Sequence, residues 1–214
     1  MKYQLLRENV YRTTMNLCEA GLIRLLAGNI SARDQDAHVA ITPNGLEYAR
    51  LKPEDIVIVD FDGRVVDGQL KPSSETPMHT TIYAKLPQVG AVVHTHSPYA
   101  MALASSVVEI PVICLEILSV GGPVPVVPYA CPGSRQAGIV ASECLSARPE
   151  LKALMLRNHG LVAIGDDLEQ AFVGAFNCEI GAQVYWIALQ TGHPPVPLTD
   201  IQIEEIHQVY QTRR

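Results

Sequence analysis

The amino-acid sequence predicts a single α/β layered domain over residues 1–214, with a central mixed, largely antiparallel sheet flanked by helices. Three observations support this. Helical and strand patterns alternate along the chain with no composition break that would mark a domain boundary. Short turns join several successive strands, which pairs them antiparallel. Hydrophobic residues make up 48% and charged residues 18% of the chain, the balance of a compact globular protein rather than a disordered one.

Taken in order, Leu6, Val10, Thr13 and Leu17 recur at helical spacing over residues 4–20, and Gly21 follows as a stop. Residues 25–32 and His38–Thr42 read as a short antiparallel pair, closed by the turn Pro43-Asn44-Gly45. Ile56–Val59 and Arg64–Val66 flank Asp60–Gly63 as a hairpin. Ser73-Ser74-Glu75 precedes a helix whose Met78, Ile82 and Leu86 share one face, with Glu75 in its first turn. A strand ends at His96, and Pro98 opens a helix to Ala104. Pro111–Ile117 and Val124–Tyr129 read as strands separated by Gly121-Gly122-Pro123, and Ser134–Ala147 as a helix. Ala153–Leu156 and Leu161–Ile164 are strands on either side of His159. Asp166 or Asp167 caps a long helix to Leu189, whose stripe Phe172, Phe176, Ile180, Val184 and Ile187 reads as core or subunit contact. After the Pro-rich link His193–Pro197, a last helix runs from Asp200 to about Tyr210.

The net charge of −6 and the absence of a basic block argue against nucleic acid and anionic membranes as partners. Met1-Lys2-Tyr3-Gln4 and the charges at Lys2, Arg7 and Glu8 do not fit a signal peptide, and no apolar run approaches about 20 residues. Five widely spaced cysteines without a CxxC pair indicate reduced thiols. A cytoplasmic protein is expected. The slightly positive mean hydropathy of +0.13 points to surface covered by further subunits.

Chemistry concentrates around Ala91-Val92-Val93-His94-Thr95-His96-Ser97-Pro98. Residues two apart on a strand face the same way, so His94 and His96 can form a metal half-site at a strand end. A bare His-x-His equally fits two unrelated polar residues there. Asn158-His159-Gly160 repeats the strand-then-His setting, and Glu75 offers a carboxylate behind two serines. Three imidazoles and one carboxylate suit zinc. The helix N-terminus behind Ser73 and Ser74 suits a phosphate. Gly28-Asn29 and Asn44-Gly45 are turn dipeptides that can present neutral donors, though each alone is accounted for by a turn. Glu116, an acid inside the apolar run Val112–Leu118, is either on an exposed face or held for proton transfer.

Gly28-Asn29-Ile30-Ser31, Thr42-Pro43-Asn44-Gly45, Ser73-Ser74-Glu75, His94-Thr95-His96, Gly121-Gly122 with Pro128-Tyr129, and Asn158-His159-Gly160 occur in the order seen in the class II aldolase/adducin family. The resemblance spans roughly residues 9–191 and is nearest the fuculose-1-phosphate branch. It implies one Zn2+ per subunit held by Glu75, His94, His96 and His159, with Glu75 becoming the catalytic base. It implies substrate phosphate binding by Gly28, Asn29, Asn44, Gly45, Ser73 and Ser74, and a homotetramer with active sites at subunit interfaces. The implied reaction is aldol cleavage of a fuculose-, ribulose- or deoxyribulose-1-phosphate to dihydroxyacetone phosphate and an aldehyde, through a zinc-stabilised enediolate.

Two departures stand out. Asn44 replaces a threonine of the fuculose-phosphate pattern, keeping a donor. Leu115 occupies the position of a tyrosine that protonates the aldehyde oxygen. Glu116 is next to it, where related epimerases and dehydratases carry an acid/base carboxylate, and Tyr210 is the tail tyrosine on offer. A pentulose-phosphate epimerase or methylthioribulose-1-phosphate dehydratase on the same scaffold is therefore the alternative reaction. A non-catalytic adducin-type binding module is the alternative of another class, and it would lack the full metal set.

Overall fold

The computed structural model describes residues 3–211; Met1 and Lys2, which open the segment read as no signal peptide, and residues 212–214 lie outside it. Helix α1 (Gln4–Glu19) leads into strands β1 (Gly28–Arg33), β2 (Val39–Ile41), β3 (Val57–Val59) and β4 (Val65–Asp67). Next come α2 (Thr76–Lys85), β5 (Ala91–Thr95), α3 (Pro98–Ser106), β6 (Glu109–Ile110), α4 (Leu115–Ser119), β7 (Val124–Val127) and α5 (Arg135–Ala147). The chain closes with β8 (Ala153–Leu156), β9 (Gly160–Gly165), α6 (Leu168–Leu189) and α7 (Asp200–Gln211).

Among the described residues, nine strands form one sheet in the order β4-β3-β2-β1-β5-β9-β8-β7-β6. Only β7 and β8 pair in parallel, across the α5 crossover; all other neighbours are antiparallel. The central strands carry apolar side chains on both faces because both faces are covered. On one side Ile30, Ala91, Val93, Leu161 and Ala163 pack with residues of α1, α3, α4 and α6. On the other Val92, Val162, Leu154 and Leu156 pack with Met78, Ile82 and Tyr83 of α2 and Ala137, Ala141 and Leu145 of α5. Each large aliphatic side chain fully buried this way stabilises the fold by about 1.5–3 kcal/mol before conformational entropy is counted. The alternation sets the site: His94 shares the parity of Val92, so it faces α2 and α5.

Two expectations need correction and one is narrowed. Pro111–Ile117 is no strand; Leu115–Ser119 forms α4, five residues long. Pro111 cannot donate to a ladder, and Leu-Glu-Ile-Leu is a run of good helix formers that turns Ile117 inward against α6. The α6 stripe, read as core or subunit contact, is core only in part: Phe172 packs against the core cluster. The packed side of α6 is Ala171, Gly174, Ala175, Cys178, Gly181 and Ala182, small residues that let the helix approach the sheet, while Phe176, Val184 and Ile187 are 38%, 39% and 50% exposed. Finally, the first strand begins only at Gly28, because Leu25 takes a left-handed turn conformation with φ 56° and Arg24 bridges to Ala27. No helix among the described residues is long and apolar enough to cross a membrane.

Candidate active site

Strand β5 delivers the first histidine. His94 lies opposite Asn29 on β1 and Val162 on β9. Its Nδ1 is 2.8 Å from the Leu161 carbonyl oxygen, which can only accept. Nδ1 therefore carries the proton, and Nε2 presents a lone pair. His96 follows the last strand residue, Thr95, and its ring stands edge-on to His94 with centroids 4.9 Å apart. The corner after His96 is anchored from α6: the buried Glu179 carboxylate accepts from the backbone N–H groups of Tyr99 at 3.0 Å and Ala100 at 2.8 Å, at the start of α3.

The third histidine depends on a tight turn. Asn158 adopts φ 54°, a left-handed conformation asparagine tolerates better than most residues, and this swings His159 back over the strand ends. Gly160 must follow. A Cβ there would lie 2.4 Å from the Thr95 carbonyl oxygen and 3.0 and 3.2 Å from the rings of His94 and His96. The His159 ring centroid sits 4.7 Å from that of His94 and 5.1 Å from that of His96.

Glu75 completes the cluster from α2. It occupies the N-cap position, one residue before the first turn where the sequence placed it, and its carboxylate does not cap the helix. Instead Oε2 lies 3.0 Å from His94 Nε2, and Oε1 lies 3.2 Å from His159 Nε2. His94 Nε2 and His96 Nε2 are 3.0 Å apart.

This set fits a metal ion. With the ring neutral, His94 Nε2 is an acceptor and faces the carboxylate, another acceptor. Glu75 Oε2 is buried and, despite its closeness to His94, has no aligned hydrogen bond among the described residues. Acceptors crowded together out of water are costly unless a cation lies between them. One ligand atom from each of His94, His96 and His159 falls within 4.8 Å of the others, the spacing a single ion requires. Burial tends to raise the Glu75 carboxyl, but His159 and His94 outweigh it and hold the group well below the usual carboxylate range. Burial, then the neighbouring His94 and His159, push His96 down to about 4. Metals bind the form in which the carboxylate is ionised and the imidazoles are neutral.

Beside this cluster, three loops named from sequence come together. Ser73 N donates to Thr42 O at 3.1 Å and Asn44 N to Lys71 O at 2.9 Å, joining residues 42–45 to 71–74. Tyr48 Oη donates to Gly28 O at 2.7 Å and lies 3.2 Å from Thr42 Oγ1, tying in the start of β1. Gly28, at φ 112°, accepts no side chain, since a Cβ would lie 2.7 Å from His94 O. Gly28, Asn29 and Ser73 are buried, while Asn44, Gly45 and Ser74 are exposed. Ser73 Oγ accepts from Glu75 N at 3.2 Å, so it also steadies the carboxylate.

Glu116 is not part of this assembly. With Ile117 packed into the core of the α1/α3/α6 side, α4 lies across the sheet from α2. No hydrogen bond, ion pair or ring contact among the described residues joins Glu116 to Glu75 or the histidines. Leu115 beside it is 47% exposed, and Tyr210 on α7 is 54% exposed.

Sequence reading missed the residues behind Asn29. His79, fully buried on α2, has Nε2 2.6 Å from Asn29 Oδ1 and Nδ1 2.6 Å from Ser31 Oγ, which in turn lies 2.8 Å from Tyr83 Oη. The signal was present in the spacing: Ser31 follows Asn29 by two on a strand, and His79 follows Glu75 by four on a helix.

The comparisons with known proteins agree with this geometry. Residues 8–186 match the model of the class II aldolase and adducin N-terminal domain. The chain is 37% identical over 206 residues to a 5-deoxy-D-ribulose 1-phosphate aldolase of Bacillus thuringiensis serovar kurstaki, covering 96% of this chain and 95% of that protein. It is 35% identical over 208 residues to a 5-methylthioribulose-1-phosphate/5-deoxyribulose-1-phosphate aldolase of Rhodospirillum rubrum, covering 97% and 91%. A solved L-fuculose 1-phosphate aldolase superposes with a TM-score of 0.87 at 31% identity, covering 96% of each chain. With its nine-stranded sheet, its three clustered histidines and matches along nearly its whole length, the chain belongs to the class II aldolase and adducin family.

Proposed function

We propose that the chain is a zinc-dependent aldehyde-lyase that cleaves a ketose 1-phosphate to dihydroxyacetone phosphate and an aldehyde. The observation that carries this reading is the crowding of imidazole and carboxylate acceptors at one buried point beside three loops of neutral donors. Glu75, His94, His96 and His159 are the residues that would hold one zinc ion, which when bound supplies a Lewis acid for the substrate carbonyl. Gly28, Asn29, Asn44, Gly45, Ser73 and Ser74 take the phosphate through N–H and hydroxyl donors without contributing charge. Glu75, ionised near neutral pH and with Oε2 free of an aligned hydrogen bond, accepts the proton from the carbon beside the carbonyl. The substrate is of fuculose-, ribulose- or deoxyribulose-1-phosphate type, and the names of the relatives make 5-deoxyribulose 1-phosphate the first to try.

The chain acts as one domain within a homotetramer, a reading supported by the exposed apolar stripe of α6. Glu116, across the sheet from its own chain's site, serves as acid toward the site of a neighbouring copy. Its place beside Leu115 also keeps an epimerase or dehydratase in view, and release of dihydroxyacetone phosphate distinguishes the lyase. Five free thiols among the described residues accord with the cytoplasm.

The test is Glu75→Gln. This variant keeps its zinc through the three histidines but exchanges the carbon-bound hydrogen of dihydroxyacetone phosphate with deuterated water at least about 10²-fold more slowly than the parent. Exchange at the parent's rate would remove Glu75 from the role of base.

A further inference from the structure

The buried chain Tyr83–Ser31–His79–Asn29 runs behind the proposed phosphate pocket, and nothing in the chemistry described so far uses it. Its direction can be read from its far end. The Tyr83 hydroxyl is fully buried, and Ser31 Oγ is its one side-chain hydrogen-bond partner among the described residues. The phenol proton must therefore go to Ser31 Oγ, since leaving a buried O–H unpaired would cost free energy. Ser31 has one proton of its own, and the remaining close atom is His79 Nδ1 at 2.6 Å. Ser31 thus donates to Nδ1. A fully buried imidazole with no carboxylate on either nitrogen is neutral, so its single proton is on Nε2. Nε2 donates to Asn29 Oδ1 at 2.6 Å.

The consequence falls on the amide. With Oδ1 held from behind, Asn29 turns its NH2 end away from His79. The reverse relay would make Nε2 an acceptor, flip the amide, and turn an oxygen toward an anion. Asn29 stands opposite His94 on β5, so its side chain shares the face of the histidine cluster.

We propose that His79 is a positioning residue that fixes the amide of Asn29, donor end outward, for the substrate's phosphate. The inference rests on the reading of Asn29 as a phosphate donor, and the experiment separates the two. Inorganic phosphate is titrated calorimetrically into zinc-loaded protein, and the KM and kcat of hydrogen exchange on dihydroxyacetone phosphate are measured in parallel. Asn29→Ala tests the underlying reading. It is expected to weaken phosphate binding about 5- to 10-fold, the value of one neutral hydrogen bond. Unchanged binding in Asn29→Ala would overturn that reading and the proposal with it.

His79→Leu is expected to weaken phosphate binding and raise KM by a similar factor, with kcat within about twofold and zinc content unchanged. Gln can place an N–H donor where His79 Nε2 lies, so His79→Gln is expected to restore most of the loss. In the Asn29→Ala background, His79→Leu is expected to add less than about twofold, because its effect passes through the missing amide. Asn29→Ala weakening phosphate while His79→Leu does not, or the two losses multiplying in the double variant, would overturn the proposal and leave the pocket assignment standing. Ser31→Ala, which removes one oxygen and adds no volume, carries the same coupling test should His79→Leu fail to fold.

Discussion

On the α2/α5 face, Glu75, His94 and His159 are buried and each is placed by the backbone: a strand register, an N-cap position, a left-handed turn. On the opposite face Glu116 rides a five-residue helix beside an exposed Leu115, and Tyr210 stands out from α7. The first group is complete within one chain. The second has the right chemistry and, among the described residues, no hydrogen bond, ion pair or ring contact to the first group, which is why a neighbouring copy was proposed as its target. In the proposed mechanism, binding and proton abstraction belong to the folded chain, and the later proton transfer to the proposed assembly.

Breaking the second region gives the largest effect. Glu116→Gln is expected to lower turnover of 5-deoxyribulose 1-phosphate by about 10²–10⁴ with zinc content intact. If Glu116 acts across subunits, co-expressed Glu75→Gln and Glu116→Gln chains assemble some sites with both carboxylates and recover about a quarter of parental activity. No recovery in mixed tetramers, checked by light scattering, would place the acid elsewhere.

Breaking the first region acts on the metal instead. Gly160→Ala drives a methyl into the Thr95 carbonyl and the two histidine rings, so zinc affinity measured by chelator competition is expected to fall about 10–100-fold. Next in size is a pH effect. Burial, then the neighbouring His94, hold His79 at about 3 against an ordinary 6.5. Between those values the unfolded chain binds a proton the folded chain does not, so stability is full above about 6.5 and is lost as pH falls toward 3. From pH 7 to pH 5 the parent is expected to lose about 1–2 kcal/mol more than His79→Gln in urea unfolding. Smallest is Asn44→Ala at the exposed rim, where KM for dihydroxyacetone phosphate is expected to rise about fivefold with kcat unchanged.

The histidines and Glu75 were legible in sequence because each sits where periodicity changes, at a strand end or a helix start, and such places bring side chains together with little help from distant packing. Glu116 was misplaced in a strand because a short apolar run fits either structure, and the packing of Ile117 against Gly181 of α6 could not be seen from the run itself. The α6 stripe left core and subunit contact open: the helix buries its small residues, so most of the large ones lie on the less buried side. The relay behind Asn29 joins residues about 50 apart, and only the pairing of β1 with β5 and the seating of α2 reveal it.

The stitching of Thr42–Gly45 to Lys71–Ser74 bears on the speed of catalysis. Loops already joined by backbone hydrogen bonds need no slow rearrangement to receive an anion, so little chain has to be ordered when it arrives. Capture then runs near the rate of productive encounter, and differences in affinity among phosphorylated ligands appear in how long each stays. As the phosphate pocket proposed above, this arrangement suits repeated turnover: neutral donors would hold the phosphate without an ion pair that delays release of dihydroxyacetone phosphate.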